Sequence, residues 1–337
     1  MFKKIAFLLF LCCAFILLPM TIPAAAAATP KPVIIDSDMT TDDFMATLYL
    51  LNDPNVSVKA ITVTGTGWAY CDGGVEAALG LLALTNHTDI PVSCWRETPL
   101  LGDYNPVPGE YRTSPDSLKA YNLPAGGTAS DMDAVKLFTS TVQAATDKIT
   151  VLALGPLTNI AQAFETTPAL IDKIDMIYIM GGAVDVPGSA VSDTNKSAEW
   201  NIYCDPYAAR LVFESGAPIT LISLDASNDV PITMDFLSKL QAEAKTPSAK
   251  MAATILQNST GFIQSGGYYF WDPLAAAVLA DPTLVTLTKR SVDVVDTPGA
   301  DYGRTKPVGN GPQILVATKP DGKVFEQRLI DTWNAGS

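Results

Sequence analysis

Apolar runs rich in Val and Ile alternate with helix-like patterns through the first two thirds of the chain. The runs are apolar at consecutive positions, which is typical of strands buried on both faces of a parallel sheet. This alternation predicts an α/β fold, a single Rossmann-like domain with a mostly parallel central sheet flanked by helices. The predicted strands are KPVIID (31–36), VSVKAITVTG (56–65), IPVSCW (90–95), ITVLALG (149–155), IDMIYIM (174–180) and ITLISLDA (219–226).

Helix-like periods separate these strands. The predicted helices are DDFMATLYLLND (42–53), GGVEAALGLLALTN (73–86), DMDAVKLFTSTVQAAT (131–146) and DPYAARLVF (205–213), with further helical sequence from the 230s into the 280s. Residues 96–128 break the alternation, because they are rich in Pro, Gly and Tyr and have no period. They are too long for an ordinary connection, so we expect a lid or a binding loop there.

The first 28 residues have the layout of a secretory signal peptide. Two lysines precede an apolar run from Ile5 to Leu18, and a tract of alanines ends at Ala28. A retained membrane anchor is the alternative, which two prolines and the small residues before Ala28 disfavour. We therefore predict a signal peptide over residues 1–28, a mature domain over residues 29–337, and export to the periplasm or out of the cell.

The chain has 35 acidic residues against 22 Lys and Arg, a net charge of −13. Neither nucleic acid nor, after signal cleavage, an anionic membrane is therefore an expected partner. Cys71, Cys94 and Cys204 remain in the mature chain. Three cysteines in an exported protein allow one disulfide, for which Cys71 and Cys94 are a candidate pair, and one free thiol.

Four carboxylates crowd the end of the first predicted strand, Asp36, Asp38, Asp42 and Asp43 in IIDSDMTTDD (34–43). Ligands of parallel α/β sheets bind outside the carboxyl ends of the strands. Like charges about 4 Å apart repel by roughly 4 kcal/mol at an effective dielectric of 20, so the group needs a counter-charge, a shared proton or solvent. Helix capping is one explanation. A hard cation is the other, and several carboxylates in a loose geometry favour Ca²⁺ over Mg²⁺.

His87 is the single histidine and lies in a turn between a predicted helix and a strand. A His-ligated zinc site, a Ser-His-Asp triad and a Cys-His pair are therefore disfavoured. IIDSDMT also matches the opening of aspartate-nucleophile phosphatases, in which Asp36 would attack phosphorus, Asp38 would be the acid and Mg²⁺ would be bound. Those enzymes need a late acidic pair, whereas GDYNPV (102–107) lacks the second acid and comes too early.

Five further motifs follow this acidic opening. They are VLALGPLTNIA (151–161), MGGAVDVPG (180–188), AEWNIYCDP (198–206), SLDASNDVP (223–231) and YYFWDPLAAAVLADP (268–282). With DSDMTTDD (36–43), this ordered set resembles the inosine-uridine preferring nucleoside hydrolase family over about residues 32–320. The resemblance implies the nucleoside hydrolase fold, Ca²⁺-dependent hydrolysis of the N-glycosidic bond of ribonucleosides to free base and ribose, and a homodimer or homotetramer.

The resemblance also assigns roles to individual residues. It implies that Ca²⁺ is held by three carboxylates and one backbone carbonyl, those of Asp38, Asp43, Asp272 and Leu154. Asp38 would also act as general base toward the metal-bound water. The ribose 2′-, 3′- and 5′-hydroxyls would be bound by Asp42, Asn201 and Glu199, with Asp36 behind them. Carboxylates suit this chemistry, because cleavage of a ribosyl bond passes through an oxocarbenium-like sugar that nearby negative charge stabilises.

The base pocket departs from the general family pattern. Members that use both purines and pyrimidines tend to carry His immediately before the late metal-binding Asp, where this chain has Trp271. The Trp-Asp pair and AEWN (198–201) resemble the purine-specific, inosine-adenosine-guanosine branch, in which aromatic rings sandwich the base. Tyr111 falls where that branch has its second stacking residue. We therefore predict a purine nucleosidase in which the base stacks on Trp271.

Other residues are candidates for the same pocket. Trp68 and Trp95 could line the base site. The family has an Asn that contacts the 5′-hydroxyl, for which Ser189 is the nearest match, with Asn195 further on. Two alternatives to the hydrolase stay open, namely an exported protein that binds nucleosides or sugars without turnover and the Mg²⁺-dependent phosphatase.

Overall fold

A nine-stranded sheet runs through the described part of the protein. The computed structural model describes residues 29–102, 105–109, 112 and 121–336, so the predicted signal peptide lies outside it. The strand order is β3-β2-β1-β4-β5-β6-β9-β7-β8. The strands are β1 (Lys31–Ser37), β2 (Val56–Val63), β3 (Val92–Cys94), β4 (Ile149–Ala153), β5 (Ile174–Met180), β6 (Ile219–Ile222), β7 (Thr286–Val294), β8 (Thr305–Pro307) and β9 (Gln313–Thr318).

Helices cover both faces of this sheet. The α-helices of the described residues are α1 (Thr41–Asn52), α2 (Cys71–Leu84), α3 (Ala134–Ala144), α4 (Thr158–Thr166), α5 (Trp200–Cys204), α6 (Pro206–Glu214), α7 (Leu224–Ser227), α8 (Met234–Glu243), α9 (Pro247–Asn258), α10 (Thr260–Gln264), α11 (Trp271–Ala280) and α12 (Gly322–Trp333). Short 3₁₀ helices, Pro168–Lys173 and Pro282–Leu284, precede β5 and β7. One apolar core packs α1, α2, α8, α9, α11 and α12 on the sheet, and a second packs α3, α4 and α6 on the other face.

Strand β1 lies inside the sheet and positions the candidate site. It pairs in parallel with β2 and with β4, so that Ile35 lies between Ile61 and Leu152. Val33 and Ile35 are buried in the first core and Ile34 in the second, so the strand is covered on both faces. The chain continues from β1 to β2 and β3 on one side and then crosses to β4 on the other side, and a crevice forms at the carboxyl ends of the strands where the direction reverses in this way.

The structure confirms the predicted α/β fold, and the six predicted strands correspond to β1–β6. The stretch 219–226 is a strand only as far as Ile222, because Ser223 is already the N-cap of α7. The apolar-run criterion does not identify β7, since Thr286, Thr288 and Lys289 are exposed and the strand shows no continuous apolar run. β7 and β8 make the antiparallel edge of the sheet.

The cysteines pair as the sequence suggested. A Cys71–Cys94 disulfide joins the first residue of α2 to the last residue of β3. Cys204 is a buried free thiol. Among the described residues, no helix is both long and apolar enough to cross a membrane.

Candidate active site

The turn between β1 and α1 brings carboxylates to the carboxyl end of the sheet. Met39 adopts a left-handed backbone conformation with φ of 55°, which turns the chain directly after Asp38 into α1. This conformation is unfavourable for a residue with a side chain and persists only where neighbours hold it. Here the Met39 N–H donates to Ser37 Oγ at 3.0 Å, and the Met39 side chain is fully buried.

A cavity of about 650 Å³ opens at this end of the sheet. That volume is in the range of small-molecule sites. Five carboxylates line it, those of Asp38, Asp42, Asp43, Glu199 and Asp272. None of the described residues that line the cavity is Lys, Arg or His. Because the described lining residues offer these acids no basic side chain, a ligand or protons must balance their charge within the cavity.

Three of these acids form a tight group, called the acidic cluster here. One carboxylate oxygen from each of Asp42, Asp43 and Asp272 lies within 4.8 Å of the others. The cluster forms because α1 and α11 pack side by side, and Asp272 is the second residue of α11. Asp272 Oδ1 is buried and has no hydrogen-bond partner in the described part of the chain. A buried carboxylate oxygen without a donor is costly unless a proton or a cation meets it.

Burial and mutual repulsion raise the pKa values of these acids. Burial, followed by the charge of Asp43, holds the pKa of Asp272 well above its usual range, and the same two causes act on Asp38. The pKa of Asp42 is raised to about 7, also by burial first and Asp43 second. Without a cation, this arrangement therefore favours protonated carboxyl groups.

Helix capping explains part of the arrangement. Asp43 Oδ1 accepts a hydrogen bond from Ser37 Oγ at 2.5 Å, and its Oδ2 accepts one from the Thr40 N–H at 3.0 Å. Thr40 and Asp43 thus form a capping box at the start of α1. Capping does not involve Asp272, so it does not account for the cluster.

Glu199 and Asn201 lie at the start of α5 on the same cavity. The Glu199 carboxylate accepts hydrogen bonds from the N–H groups of Asn201 and Gly182, both at 2.9 Å. Burial raises the pKa of Glu199, and these donors act against that rise. Asn201 Nδ2 donates at 3.1 Å to the carbonyls of Leu154 and Met180. Leu154, whose carbonyl the family resemblance assigns to the metal, lines the same cavity, and one lone pair of its oxygen is already engaged.

The predicted ligand set and the observed cluster overlap without being identical. Asp43 and Asp272, two of the carboxylates that the family resemblance assigns to the metal, lie next to each other. Asp42, which the family resemblance assigns to ribose, belongs to the same cluster, whereas Asp38 lines the cavity outside it. Asp38 Oδ2 accepts a hydrogen bond from the Trp68 N–H at 3.0 Å.

Asp36 lies behind the cavity. Its side chain is fully buried and is not part of the cavity lining. Thr62 Oγ1 and Asn159 Nδ2 donate to its Oδ1 at 2.5 and 2.8 Å. Burial raises the pKa of Asp36 to about 7. This position does not suit a nucleophile, so the structure gives no support to the phosphatase alternative.

Aromatic side chains form another part of the cavity lining. Four of them, called the aromatic wall here, are Phe262, Tyr268, Tyr269 and Trp271. The Trp271 ring lies 5.7 Å from the Tyr268 ring and 6.3 Å from the Phe262 ring, measured between centroids. Phe262 and Tyr268 are stacked at 5.0 Å. The predicted base-stacking residue thus belongs to an extended aromatic surface.

A separate aromatic pair, Trp68 and Trp200, also lines the cavity, with ring centroids 5.6 Å apart. Sequence reasoning named Trp68 but missed Trp200, although it lies between Glu199 and Asn201 in a motif already singled out. It also missed Phe262, Tyr268 and Tyr269. The two tyrosines directly precede FWDP, whereas no sequence pattern pointed to Phe262. Trp95 packs against the second core and is not part of this cavity.

Three further predicted residues have different places in the structure. Ser189 lines the cavity. The Asn195 side chain is not part of the lining, since its Nδ2 donates to the Tyr302 carbonyl at 2.7 Å and its Oδ1 accepts from the Ala198 N–H at 3.2 Å. Asn195 therefore shapes the segment before α5. Tyr111 lies outside the described residues.

The chain and its fold match known nucleoside hydrolases. A family model for inosine-uridine preferring nucleoside hydrolases matches residues 33–327. The pyrimidine-specific ribonucleoside hydrolase RihA of Escherichia coli O127:H6 is 30% identical, over 89% of this chain and 97% of that protein. Among solved structures, the plant nucleoside hydrolase PpNRh1 has a TM-score of 0.78 at 28% identity, covering 91% of this chain and 99% of that one.

A second solved structure is named for a different base preference. The purine-preferring ribonucleoside hydrolase from Gardnerella vaginalis has a TM-score of 0.76 at 28% identity, covering 90% of this chain and 98% of that one. Similar proteins thus carry names with opposite base preferences, whereas all are nucleoside hydrolases. The chain belongs to the family of inosine-uridine preferring nucleoside hydrolases, enzymes that hydrolyse the N-glycosidic bond of ribonucleosides.

Proposed function

We propose that this nucleoside hydrolase is an exported, Ca²⁺-dependent enzyme that prefers purine ribonucleosides. The observation that carries the proposal is the acidic cluster of Asp42, Asp43 and Asp272, with its unpartnered Asp272 oxygen and no basic side chain among the described lining residues. Its all-oxygen donor set fits a hard cation, and irregularly placed carboxylates suit Ca²⁺ better than Mg²⁺.

Asp38, Asp43, Asp272 and the Leu154 carbonyl would hold the cation, with Asp42 at its edge. Bound there, Ca²⁺ would lower the pKa of a water molecule, coordinate sugar hydroxyls and offset the repulsion among the acids. The alternative of binding without turnover does not require so many acids at one point. A nucleoside is uncharged at neutral pH, and aromatic and amide groups would be sufficient to bind it.

The chain's own residues then divide the chemistry. Asp38 takes the proton of the attacking water, and the Trp68 N–H on its Oδ2 fixes the orientation of the carboxylate. Asp42 and Asn201 bind the ribose 2′- and 3′-hydroxyls. Glu199, held by backbone N–H groups, receives the 5′ end of the sugar near Ser189. The surrounding negative charge stabilises the oxocarbenium-like sugar as the bond to the base lengthens.

The purine preference rests on the aromatic wall. Trp271, the residue before Asp272, lines the cavity with Tyr268 and Phe262 beside it. A two-ring base covers more of such a surface than a one-ring base does. An indole near a base that becomes cationic as it leaves stabilises it by about 1 to 2 kcal/mol when desolvated.

The test is a hydrolysis panel with inosine, guanosine, adenosine and uridine, followed as reducing sugar and as free base. We expect faster cleavage of the purines, loss of activity with a Ca²⁺-selective chelator, and recovery with Ca²⁺. Asp38→Asn should lose about 10² to 10⁴-fold in kcat, and Asp185→Asn, which removes an exposed acid paired with Arg290, should match wild type.

Other outcomes would point elsewhere. Stoichiometric nucleoside binding by calorimetry, with no base released over hours, would identify a binding protein. Phosphate release from an aryl phosphate with Mg²⁺ would identify a phosphatase. Uridine cleaved faster than inosine would refute the purine preference while leaving the Ca²⁺ chemistry intact.

We further propose that residues 1–28 are removed on export and that the mature chain is a homodimer or homotetramer. Mass spectrometry of protein recovered outside the cytoplasm should give an N-terminus near residue 29. Light scattering on the mature chain should give two or four times the monomer mass. An intact N-terminus or a monomer would contradict the respective proposal.

A further inference from the structure

The segment that connects β2 to α2, residues 64–70, lies against Asp38 and is called the strap here. Its Trp68 N–H donates to Asp38 Oδ2, and its Ala69 N–H donates to the Asp38 carbonyl, both at 3.0 Å. A Cβ atom on Gly67 would lie only 2.1 Å from Asp38 Oδ2, so the strap backbone touches this carboxylate. One edge of the strap therefore fixes the side chain that we propose as the base.

The opposite edge of the strap is held by two side chains from the irregular segment 96–128. Arg112 donates to the carbonyls of three strap residues, and Asn105 donates to two more. The five carbonyls are consecutive, with Gly65, Trp68 and Ala69 bound by Arg112 and Thr66 and Gly67 bound by Asn105. Every carbonyl from residue 65 to residue 69 thus accepts a side-chain hydrogen bond.

The two edges belong to the same peptide groups. The peptide that gives the Trp68 N–H to Asp38 has the Gly67 carbonyl, which accepts from Asn105 Nδ2 at 3.2 Å. The next peptide gives the Ala69 N–H to the Asp38 carbonyl. The carbonyl of that peptide belongs to Trp68, and it accepts from Arg112 Nε at 3.4 Å. A peptide bonded at its carbonyl is a stronger N–H donor, because chained hydrogen bonds polarise one another.

Arg112 is built into this position. Its side chain is only 7% exposed, and its guanidinium lies 3.8 Å from the centroid of the Tyr70 ring. The planar fork of a guanidinium can serve several carbonyls at once, which a lysine ammonium on a flexible stem does poorly. Asn105 is fixed as well, since its Oδ1 accepts from the Val107 N–H at 2.8 Å.

We propose that Arg112 and Asn105 are positioning residues for hydrolysis, which set the Asp38 carboxylate through the peptide groups of the strap. This inference rests on the proposed role of Asp38 as base. Neither residue lines the substrate cavity. Their loss should therefore lower the rate of bond cleavage and leave nucleoside binding largely unchanged.

The test compares Arg112→Met, Arg112→Lys and Asn105→Asp with wild type and with the control Arg290→Met, which removes a solvent-exposed ion pair. Asn105→Asp retains the acceptor for Val107 and loses the donors to the strap. We expect kcat to fall by about tenfold to 10²-fold in Arg112→Met and Asn105→Asp, since small misplacements of a reacting group cost this much. KM should stay within about threefold, Arg112→Lys should lie in between, and the control should match wild type.

The same variants in an Asp38→Asn background separate positioning from folding. If Arg112 and Asn105 act through Asp38, their effects on the residual base release, measured by chromatography over hours, should disappear there. The inference is wrong if kcat is unchanged in both Arg112→Met and Asn105→Asp, or if it falls by the same factor in both backgrounds. Failure of the proposed function looks different, because wild type would then release no base or Asp38→Asn would equal wild type.

Discussion

The acidic cluster and the aromatic wall line the same cavity but are built from different parts of the fold. Asp43 and Asp272 lie in the first turns of α1 and α11, two buried helices packed on the sheet, and are at most 2% exposed. Phe262 lies on α10, a helix of five residues, and is 49% exposed. Gly266, with φ of 74°, follows α10 and leads to Tyr268.

This structural difference explains how one fold can catalyse a single reaction on nucleosides with different bases. The acids are fixed by packing that also holds the domain together, so they cannot move without cost to stability. The outer part of the wall lies on short segments that tolerate change. A pyrimidine-specific relative and a purine-preferring structural neighbour both match along most of the chain, which fits a conserved reaction with a variable base pocket.

The largest expected effect is on the acidic side of the cavity. Asp38→Asn should lower kcat by about 10² to 10⁴-fold, the usual contribution of a positioned general base. Thermal unfolding should remain cooperative, because the amide retains the size of the side chain and can still accept from the Trp68 N–H. Steady-state release of hypoxanthine from inosine measures the effect, with Asp185→Asn as the control. A loss of less than about threefold would assign the base to another group.

Removal of the metal should have the next largest effect, measured as a fall in the melting temperature. Ca²⁺ at 100 times its Kd stabilises a protein that binds it only when folded by about 2.7 kcal/mol, which is several degrees in Tm for a chain of this size. Asp272→Asn should abolish that shift. In the presence of chelator, the variant should melt at a higher temperature than wild type, since one repelling buried carboxylate is gone. Differential scanning calorimetry with and without chelator measures both. An unchanged Ca²⁺ shift in Asp272→Asn would contradict the assignment.

The stability of the Ca²⁺-free protein should also depend on pH. Burial raises the pKa of Asp42 from 3.8 to about 7, so the folded state holds a proton that the unfolded chain has already released within this window. Stability from this group is therefore fully present below about pH 4 and is lost as the pH rises through about 7. Tm without Ca²⁺ should fall between about pH 4 and 7 and level off above that, and the fall should be less steep in Asp42→Asn. An equal slope in that variant would show that other groups cause the loss.

The sequence predicted these two regions to different extents, for physical reasons. Strand β1 is buried on both faces and has the consecutive apolar residues Val33 to Ile35, which the sequence shows directly, whereas half-exposed β7 has no such run. Asp43 and Asp272 meet only through the packing of α1 on α11. No local pattern reports a contact at that separation, and the resemblance to a family supplied it. Phe262 is exposed on a short helix and left no signal at all.

Replacement of Trp271 should have an intermediate effect. It should change the preference for inosine over uridine more than it lowers the rate with both nucleosides. Trp271→Ala should lower kcat/KM for inosine by about tenfold, which corresponds to the loss of 1 to 2 kcal/mol of ring contact with a leaving base. Uridine, with one ring, should lose less. Competition between the two nucleosides in one reaction measures the ratio directly. An equal loss for both substrates would mean that Trp271 supports Asp272 and does not recognise the base.

Phe262→Ala should have the smallest effect, because half of that ring already faces solvent and its stacking on Tyr268 lies at the rim of the cavity. Removal of a partly exposed ring contact of about 0.5 kcal/mol should raise KM for inosine by roughly two- to threefold and leave kcat unchanged. Val324→Ala, which truncates an exposed apolar side chain on α12, is the matched control. A fall in kcat with constant KM would place Phe262 among the groups that act on the transition state. The aromatic wall would then share the proposed role of the acidic side in bond cleavage, and the two regions would not differ in function.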